Sequence, residues 1–280
     1  MIDKHHLLYA DADADADADA YAASSSGGRS EGDIRPLGRA VPWPPKPDLA
    51  GWDPLELRVG IKEFPRHYWD SWRYAFVTIE EFIGTDWKTA TALKRPTEQE
   101  IDDAVNKLIL KTDTRSTIRS SMMSEILAQR SQATRYWRSM LMFNATSHPW
   151  TFELMQNTHH IGRFLAMYYK AKFNIPRPSQ ISPAILPWID PPPHPSYPSG
   201  HALEGMLISL SLGQLVPDAA KPLISLAKRV GRNREIAGLH YDFDTNAGFK
   251  IAEQALPLLK TCASYKEIFD AAKAEWEKLK

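Results

Sequence analysis

A single cysteine, Cys262, is all the sequence holds, so no intrachain disulfide can form. That fits a reducing compartment without requiring one. Net charge is missing too. The 34 Lys and Arg balance the 34 Asp and Glu, which excludes a global basic field for nucleic acid and leaves any anion binding to local charge. Long apolar runs are absent: the most apolar stretch, near Leu203 to Val216, is too short and too interrupted to span a bilayer. No Cys/His cluster has zinc spacing, and no Gly-rich phosphate loop, dinucleotide fingerprint or Gly-x-Ser-x-Gly elbow occurs. The N-terminus lacks a secretory pattern. Leu7-Leu8-Tyr9 is too short for an apolar core, and aspartates follow at once. The chain therefore reads as soluble, with the cytoplasm as its expected location.

What is present is a globular composition, 43% apolar and 24% charged over 280 residues, enough for one substantial core or at most two small domains. Residues 11–20 are Asp-Ala repeats and a Ser/Gly run follows. Neither buries enough apolar surface to offset chain entropy, so residues 1–35 are expected to be a disordered low-complexity tail. A carboxylate at every second position builds no defined metal cage. Pro36, Pro42, Pro44, Pro45, Pro47 and Pro54 mark residues 36–54 as an extended strap leading into a helical domain over 55–280.

Helical periodicity dominates that domain. Thr97-Glu98-Gln99-Glu100 reads as a capping box before the stripe Ile101, Val105, Leu108 and Ile109. Residues 116–143 carry Ile118, Met122, Ile126 and Leu127 at similar spacing, and residues 158–173 align Ile161, Phe164, Leu165 and Tyr168. Further helices are expected from Ala202 to Leu215, after a cap at Asp218 (with Leu223, Ile224, Ala227 and Val230), and over about 241–260 and 264–279. Strand-like alternation is scarce. The expected fold is an all-α, single-domain helical bundle. One segment breaks the pattern: nine prolines lie between Lys172 and His201. A loop that long inside a compact domain is often functional.

The loop joins the clusters that carry the chemistry. Lys170 and Arg177-Pro178 lie before it, Pro198-Ser199-Gly200-His201 closes it, and Arg234, His240 and Asp244 follow. Lys170, Arg177 and Arg234 are three cations suited to the oxygens of a tetrahedral anion; a guanidinium matches two of them at once. Ser199 and Gly200 sit at a helix start, where free N–H groups attract anions and glycine allows close approach; Ser199 also fits a plain cap. His240 and Asp244 share a helix face, so the carboxylate can fix the tautomer and leave the other ring nitrogen as a nucleophile. His159 and His160 are adjacent on a helix and diverge, which points to packing or solvent rather than a metal.

These residues resemble the three-part signature of the type 2 phosphatidic acid phosphatase (PAP2) superfamily, which includes bacterial class A nonspecific acid phosphatases and vanadium-dependent haloperoxidases. The resemblance covers about residues 158–260 and departs at Asn233, where the family usually has Ser. It implies that Lys170, Arg177 and Arg234, with Ser199 and the Gly200 backbone, hold the nonbridging oxygens. It implies that His240 attacks phosphorus, that Asp244 orients it, and that His201 protonates the leaving oxygen and then activates water. No metal is required.

The short separation of His201 and Arg234 and the ending through Lys280 resemble the acid phosphatases. The stretch His194-Pro195-Ser196-Tyr197-Pro198-Ser199-Gly200-His201 resembles algal bromoperoxidases, with His194 where those enzymes place a second histidine near vanadate. The expected function is therefore a metal-independent phosphatase acting on small phosphate monoesters without a cofactor. The alternatives are a haloperoxidase with vanadate on His240, and a non-catalytic oxyanion-binding module. Expected partners are a phosphorylated small molecule or inorganic phosphate or vanadate, without nucleic acid or membrane span; a homo-oligomer is compatible. Family analogy also allows a periplasmic location.

Overall fold

The computed structural model describes residues 63–113 and 117–278, with only the backbone of His67 and Ile118. The expected tail, the proline strap and the domain start at residue 55 lie outside the described residues.

The elements run η1 (Arg66–Tyr68), α1 (Ser71–Ile83), α2 (Trp87–Ala90), α3 (Glu98–Lys111), α4 (Thr117–Ser121), α5 (Met123–Gln132), α6 (Arg135–Leu141), α7 (Pro149–Phe173), α8 (Pro178–Ile181), α9 (Gly200–Leu215), η2 (Pro217–Ala219), α10 (Ala220–Ile236), α11 (Asp242–Leu259) and α12 (Ala263–Glu277). No strand occurs among the described residues. None of their helices is long and apolar enough to cross a membrane.

Helix α9 is the central post. It is apolar all round, and Leu203, Met206, Leu207, Ile208 and Leu212 are buried on every side, as expected of a helix enclosed by others. Its neighbours are α7, α10 and α11, while α1 and α12 cover the far side of α7. The capping box of α3 forms as read: Glu100 N–H donates to Thr97 Oγ1 (3.2 Å) and Thr97 N–H to Glu100 Oε2 (2.7 Å). Behind it Ile101, Val105 and Leu108 are buried.

Three expectations need correction. Helix α7 begins at Pro149 instead of near residue 158, because Pro149 suits the first helical turn and the added turns are sandwiched between neighbours. Residues 117–141 break into three short helices, and Leu127 is 48% exposed. There α5 meets α10 through polar groups: Glu125 pairs with Arg229 and accepts from Asn233 Nδ2. Asp218 caps no helix. It lies inside η2, and α10 starts after Ala219 with no side-chain cap.

Arg119 on α4 pins this part of the fold. It is wholly buried and donates to Ile236 O (3.2 Å), Thr112 O (2.6 Å) and Leu186 O, with its guanidinium 4.4 Å from the Trp188 ring centroid. It thereby satisfies carbonyls at the ends of α3 and α10 and anchors the proline-rich loop. Arg119→Ala strands these acceptors and is expected to cost about 3 kcal/mol or more in urea denaturation. Arg119→Lys should recover only part, because a point-like ammonium cannot span three diverging carbonyls. Wild-type stability in both variants would refute the pin.

Candidate active site

Helix α7 ends at Asn174, whose φ of 49° is left-handed and whose N–H returns to Lys170 O at 2.9 Å. This stop places Lys170 on the last turn and aims the chain through Pro176 and Arg177 toward the loop. Lys170 Nζ donates to Pro195 O (2.7 Å) and Ser196 O (2.8 Å). Arg177 donates from Nε to His194 O (3.0 Å), from Nη1 to Leu239 O (3.1 Å) and His240 Nε2 (3.0 Å), and from Nη2 to His194 Nδ1 (2.9 Å). All three predicted cations are buried, at 1% exposure for Lys170, 2% for Arg177 and 1% for Arg234. A solvated surface role is thereby ruled out for each.

The third cluster turns on Gly238, whose φ of +82° favours glycine. The turn carries the chain from α10 to His240 and into α11. His240 Nδ1 lies 2.7 Å from Asp244 Oδ2. That same oxygen accepts from Ser196 Oγ and from Tyr241 N–H (3.2 Å). Ser199 N–H donates to Asp244 O at 3.0 Å, tying the second cluster to the third. Ser199 Oγ makes no capping bond; it is buried without a hydrogen-bond partner among the described residues.

The hydrogen bonds fix the protonation of the dyad. His240 Nε2 faces an N–H of Arg177, so it accepts, and the imidazole proton sits on Nδ1 facing the Asp244 carboxylate. Burial pushes the His240 pKa well below its ordinary value, and Arg177, Lys170, His201 and His194 add to the effect. Burial pushes Asp244 up to about 7, while Ser196, Lys170, the Tyr241 N–H and Arg177 favour its ionised form. The result is a neutral imidazole with an unprotonated Nε2 beside a guanidinium.

His240 and Arg177 open onto a cavity of about 400 Å³, together with His194, Gly200, His201 and Arg234. Lys170 and Ser199 do not line it and stand in the wall behind. His201 Nε2 lies 3.0 Å from Gln129 O; a carbonyl only accepts, so this nitrogen carries a proton. Arg234 Nη2 donates to Ile126 O (2.9 Å) and Gln129 Oε1 (3.2 Å). Asn233, the departure from the usual Ser, donates to the same Gln129 Oε1 at 2.9 Å, so it helps hold α5 over the cavity. Asp242, two residues after His240, pairs with Lys107 at 3.9 Å.

Sequence reasoning missed several wall residues. Ser196 acts on Asp244; its only signal was its place in the Ser-Tyr-Pro-Ser-Gly-His stretch. Gln129, Arg130, Arg163 and Glu204 also line the cavity. Arg163 lies two turns before Lys170 on α7, and Glu204 lies one turn after Gly200 on α9, so helical spacing could have found both. His159 and His160 diverge as expected. His160 stacks on Trp72, but His159 lines the cavity and lies 3.1 Å from Glu204 Oε2.

The Ser199–Leu203 turn is held by a close approach from α11. A Cβ on Gly248 would stand 2.8 Å from Ser199 O and 2.9 Å from Leu203 N, both backbone atoms that cannot swing aside. Gly248→Ala should therefore destabilise the fold by about 1–3 kcal/mol despite alanine's better helix propensity. Wild-type stability of this variant in urea denaturation would show that the turn tolerates displacement.

No protein-family model matches the chain. It is 32% identical over 83 residues to an acid phosphatase of Zymomonas mobilis, covering 30% of this chain and 31% of that protein. It is 31% identical over 85 residues to a non-specific acid phosphatase of Providencia stuartii, covering 30% and 34%. It is 32% identical over 72 residues to a non-specific acid phosphatase of Salmonella typhimurium, covering 26% and 29%. The chain thus spans about a third of the length of these relatives. Among solved structures, a transmembrane PAP2-type phosphatidylglycerolphosphate phosphatase from Bacillus subtilis aligns with a TM-score of 0.46 and 17% identity, covering 66% of this chain and 95% of that one.

Proposed function

We propose that this chain, a distant relative of the bacterial nonspecific acid phosphatases of the PAP2 superfamily, hydrolyses phosphate monoesters through a phosphohistidine without a metal ion. The observation that carries this reading is the dyad. His240 Nδ1 is held by Asp244 at 2.7 Å, and Nε2 faces the cavity 3.0 Å from the Arg177 guanidinium.

Arg177 and Arg234 supply the forks for the phosphoryl oxygens, with the Gly200 N–H at the start of α9. In the free protein Arg177 occupies His240 Nε2, so an incoming phosphate must draw the guanidinium onto its oxygens. That exchange bares the nitrogen lone pair. Lys170 acts from behind: its charge faces the dyad while its donors hold the Pro195 and Ser196 carbonyls. Phosphoryl transfer needs mainly positioning and charge stabilisation, which the three cations provide.

In the first half-reaction Nε2 forms a bond to phosphorus, the ester P–O bond breaks, and the His201 imidazolium gives its proton to the leaving oxygen. Asp244 compensates the charge that the imidazole gains. In the second half His201 takes a proton from water, the water oxygen attacks phosphorus and the N–P bond breaks, releasing phosphate. The cavity exceeds the size of a phosphoryl group, so it also houses part of the alcohol.

One observation favours a second reading. His194 enters the cavity and receives an Arg177 N–H, as the resemblance to bromoperoxidases implies. The same cradle would hold vanadate, which supplies peroxide activation when bound, and Arg177, Arg234 and His240 would be its protein contacts. A paired assay separates the readings. Hydrolysis of a chromogenic phosphate monoester, blocked by vanadate, is the expected result. Halide oxidation by peroxide that appears only on vanadate addition, with no hydrolysis, would replace the phosphatase reading. Absence of both activities would leave an oxyanion-binding module.

A further inference from the structure

One carboxylate on the cavity wall has no part in the steps above. Glu204 stands three residues after His201 on α9, with its side chain 15% exposed. Its Oε1 lies 3.4 Å from the position a Cβ on Gly200 would take, so it overhangs the anion-binding turn. Its Oε2 faces His159 Nε2 at 3.1 Å. Helix α7 clamps its stem: a Cβ on Gly162 would stand 3.0 Å from both Glu204 Cα and Cγ. Burial alone would raise this carboxyl, but His159, with Arg163 and His201, holds it well below the usual carboxylate range. A fixed anion beside a pocket for anions weakens binding by repulsion. Its presence calls for a compensating effect on another group.

His201 is the group that gains. To protonate a leaving oxygen it must rest as an imidazolium, yet most of its surroundings oppose that charge. Among the described residues, the arginines Arg130 from α5, Arg163 from α7, Arg234 from α10 and Arg177 from the loop face the cavity, beside His159, His194 and the neutral His240. Against them stand two carboxylates, Asp190 on the loop and Glu204. Asp190 is exposed and screened by solvent, whereas Glu204 is sheltered and one helical turn from His201.

We propose that Glu204, anchored by His159, is the positioning residue that keeps His201 protonated as the acid of the reaction. The role rests on the phosphatase reading, but the effect on His201 does not, and the two can be tested apart. Glu204→Gln preserves shape and removes charge. The alkaline limb of kcat/KM is expected to move down by about one pH unit. The His201 ring, followed by NMR in the full-length protein and assigned with His201→Asn, should titrate lower by a similar amount. Glu204→Asp keeps the charge but shortens the reach to His159, and its limb should stay close to wild type.

If the Gln profile and His201 titration superimpose on wild type, or if Asp is shifted as far as Gln, the proposal is wrong. If the protein proves not to hydrolyse phosphate esters, the His201 titration still decides whether Glu204 holds the proton.

Discussion

Replacing His240 with Ala is expected to lower kcat/KM for a phosphate monoester by about ten-thousand-fold or more, because the proposed phosphohistidine can no longer form. The side chain is 4% exposed and joins Arg177 to Asp244. Its removal therefore also costs stability, about 1–3 kcal/mol for the stranded partners. The two effects are separable. Thermal unfolding by circular dichroism should show a folded protein with a lowered midpoint. Base-quenched protein after brief exposure to labelled substrate should carry phosphate in the wild type and none in His240→Ala. Turnover or label surviving in a folded variant would sink the assignment of the nucleophile.

Asp244→Asn should be the second most damaging change for activity and should behave oppositely in stability near neutral pH. In the proposed mechanism the amide cannot compensate the charge that His240 would gain on phosphorylation, so kcat should fall about a thousand-fold or more. Stability follows the proton balance. Burial raises Asp244 to about 7, so the folded wild type binds an extra proton between about pH 4 and 7. That contribution to stability is fully present at low pH and is lost as pH rises through the folded value.

His240 is depressed, so the unfolded chain binds a proton that the folded one does not. Its contribution is lost as pH falls below about 6.5. The two slopes oppose each other in the wild type. Asparagine removes the first, so Asp244→Asn should lose up to about 1.4 kcal/mol per pH unit relative to wild type on acidification from pH 6.5. Near pH 7.5 it should be at least as stable as wild type, since a buried carboxylate is gone. Denaturant melts at several pH values check the sign; parallel curves for the two proteins would contradict it.

Much of the fold was legible where pattern and local chemistry agree. The α3 capping box and the apolar α9 are encoded in a few residues each. Helix breaks in 117–141 were not legible, because an apolar stripe at regular spacing does not reveal that α5 meets its neighbour through Glu125, Gln129 and Asn233. The start of α7 was missed for a related reason. Buried polar residues such as Gln156, Asn157 and Thr158 hide the periodicity, since the helix is enclosed on several sides. Among the site residues, those within a short motif could be read by type and spacing. Ser196 could not, because it acts on Asp244, distant in the chain; Glu204 and Arg163 share helix faces with Gly200 and Lys170, and only the fold shows that those faces line the cavity.

The sequence by itself determined the inventory: three cations, the His240–Asp244 pair one helical turn apart, a Ser-Gly turn at a helix start, and the absence of a global basic field or of disulfides. These follow from residue chemistry and local backbone geometry. Only the tertiary structure decided how the parts divide their work. It set Arg177 on His240 Nε2 and put Lys170 behind the wall, bound to loop carbonyls. It gave Asp244 Oδ2 three donors and placed the Glu204 carboxylate over the Gly200 turn. Burial and proximity between α7, α11 and the proline-rich loop hold the His240 pKa well below its ordinary value, and no local pattern carries that information.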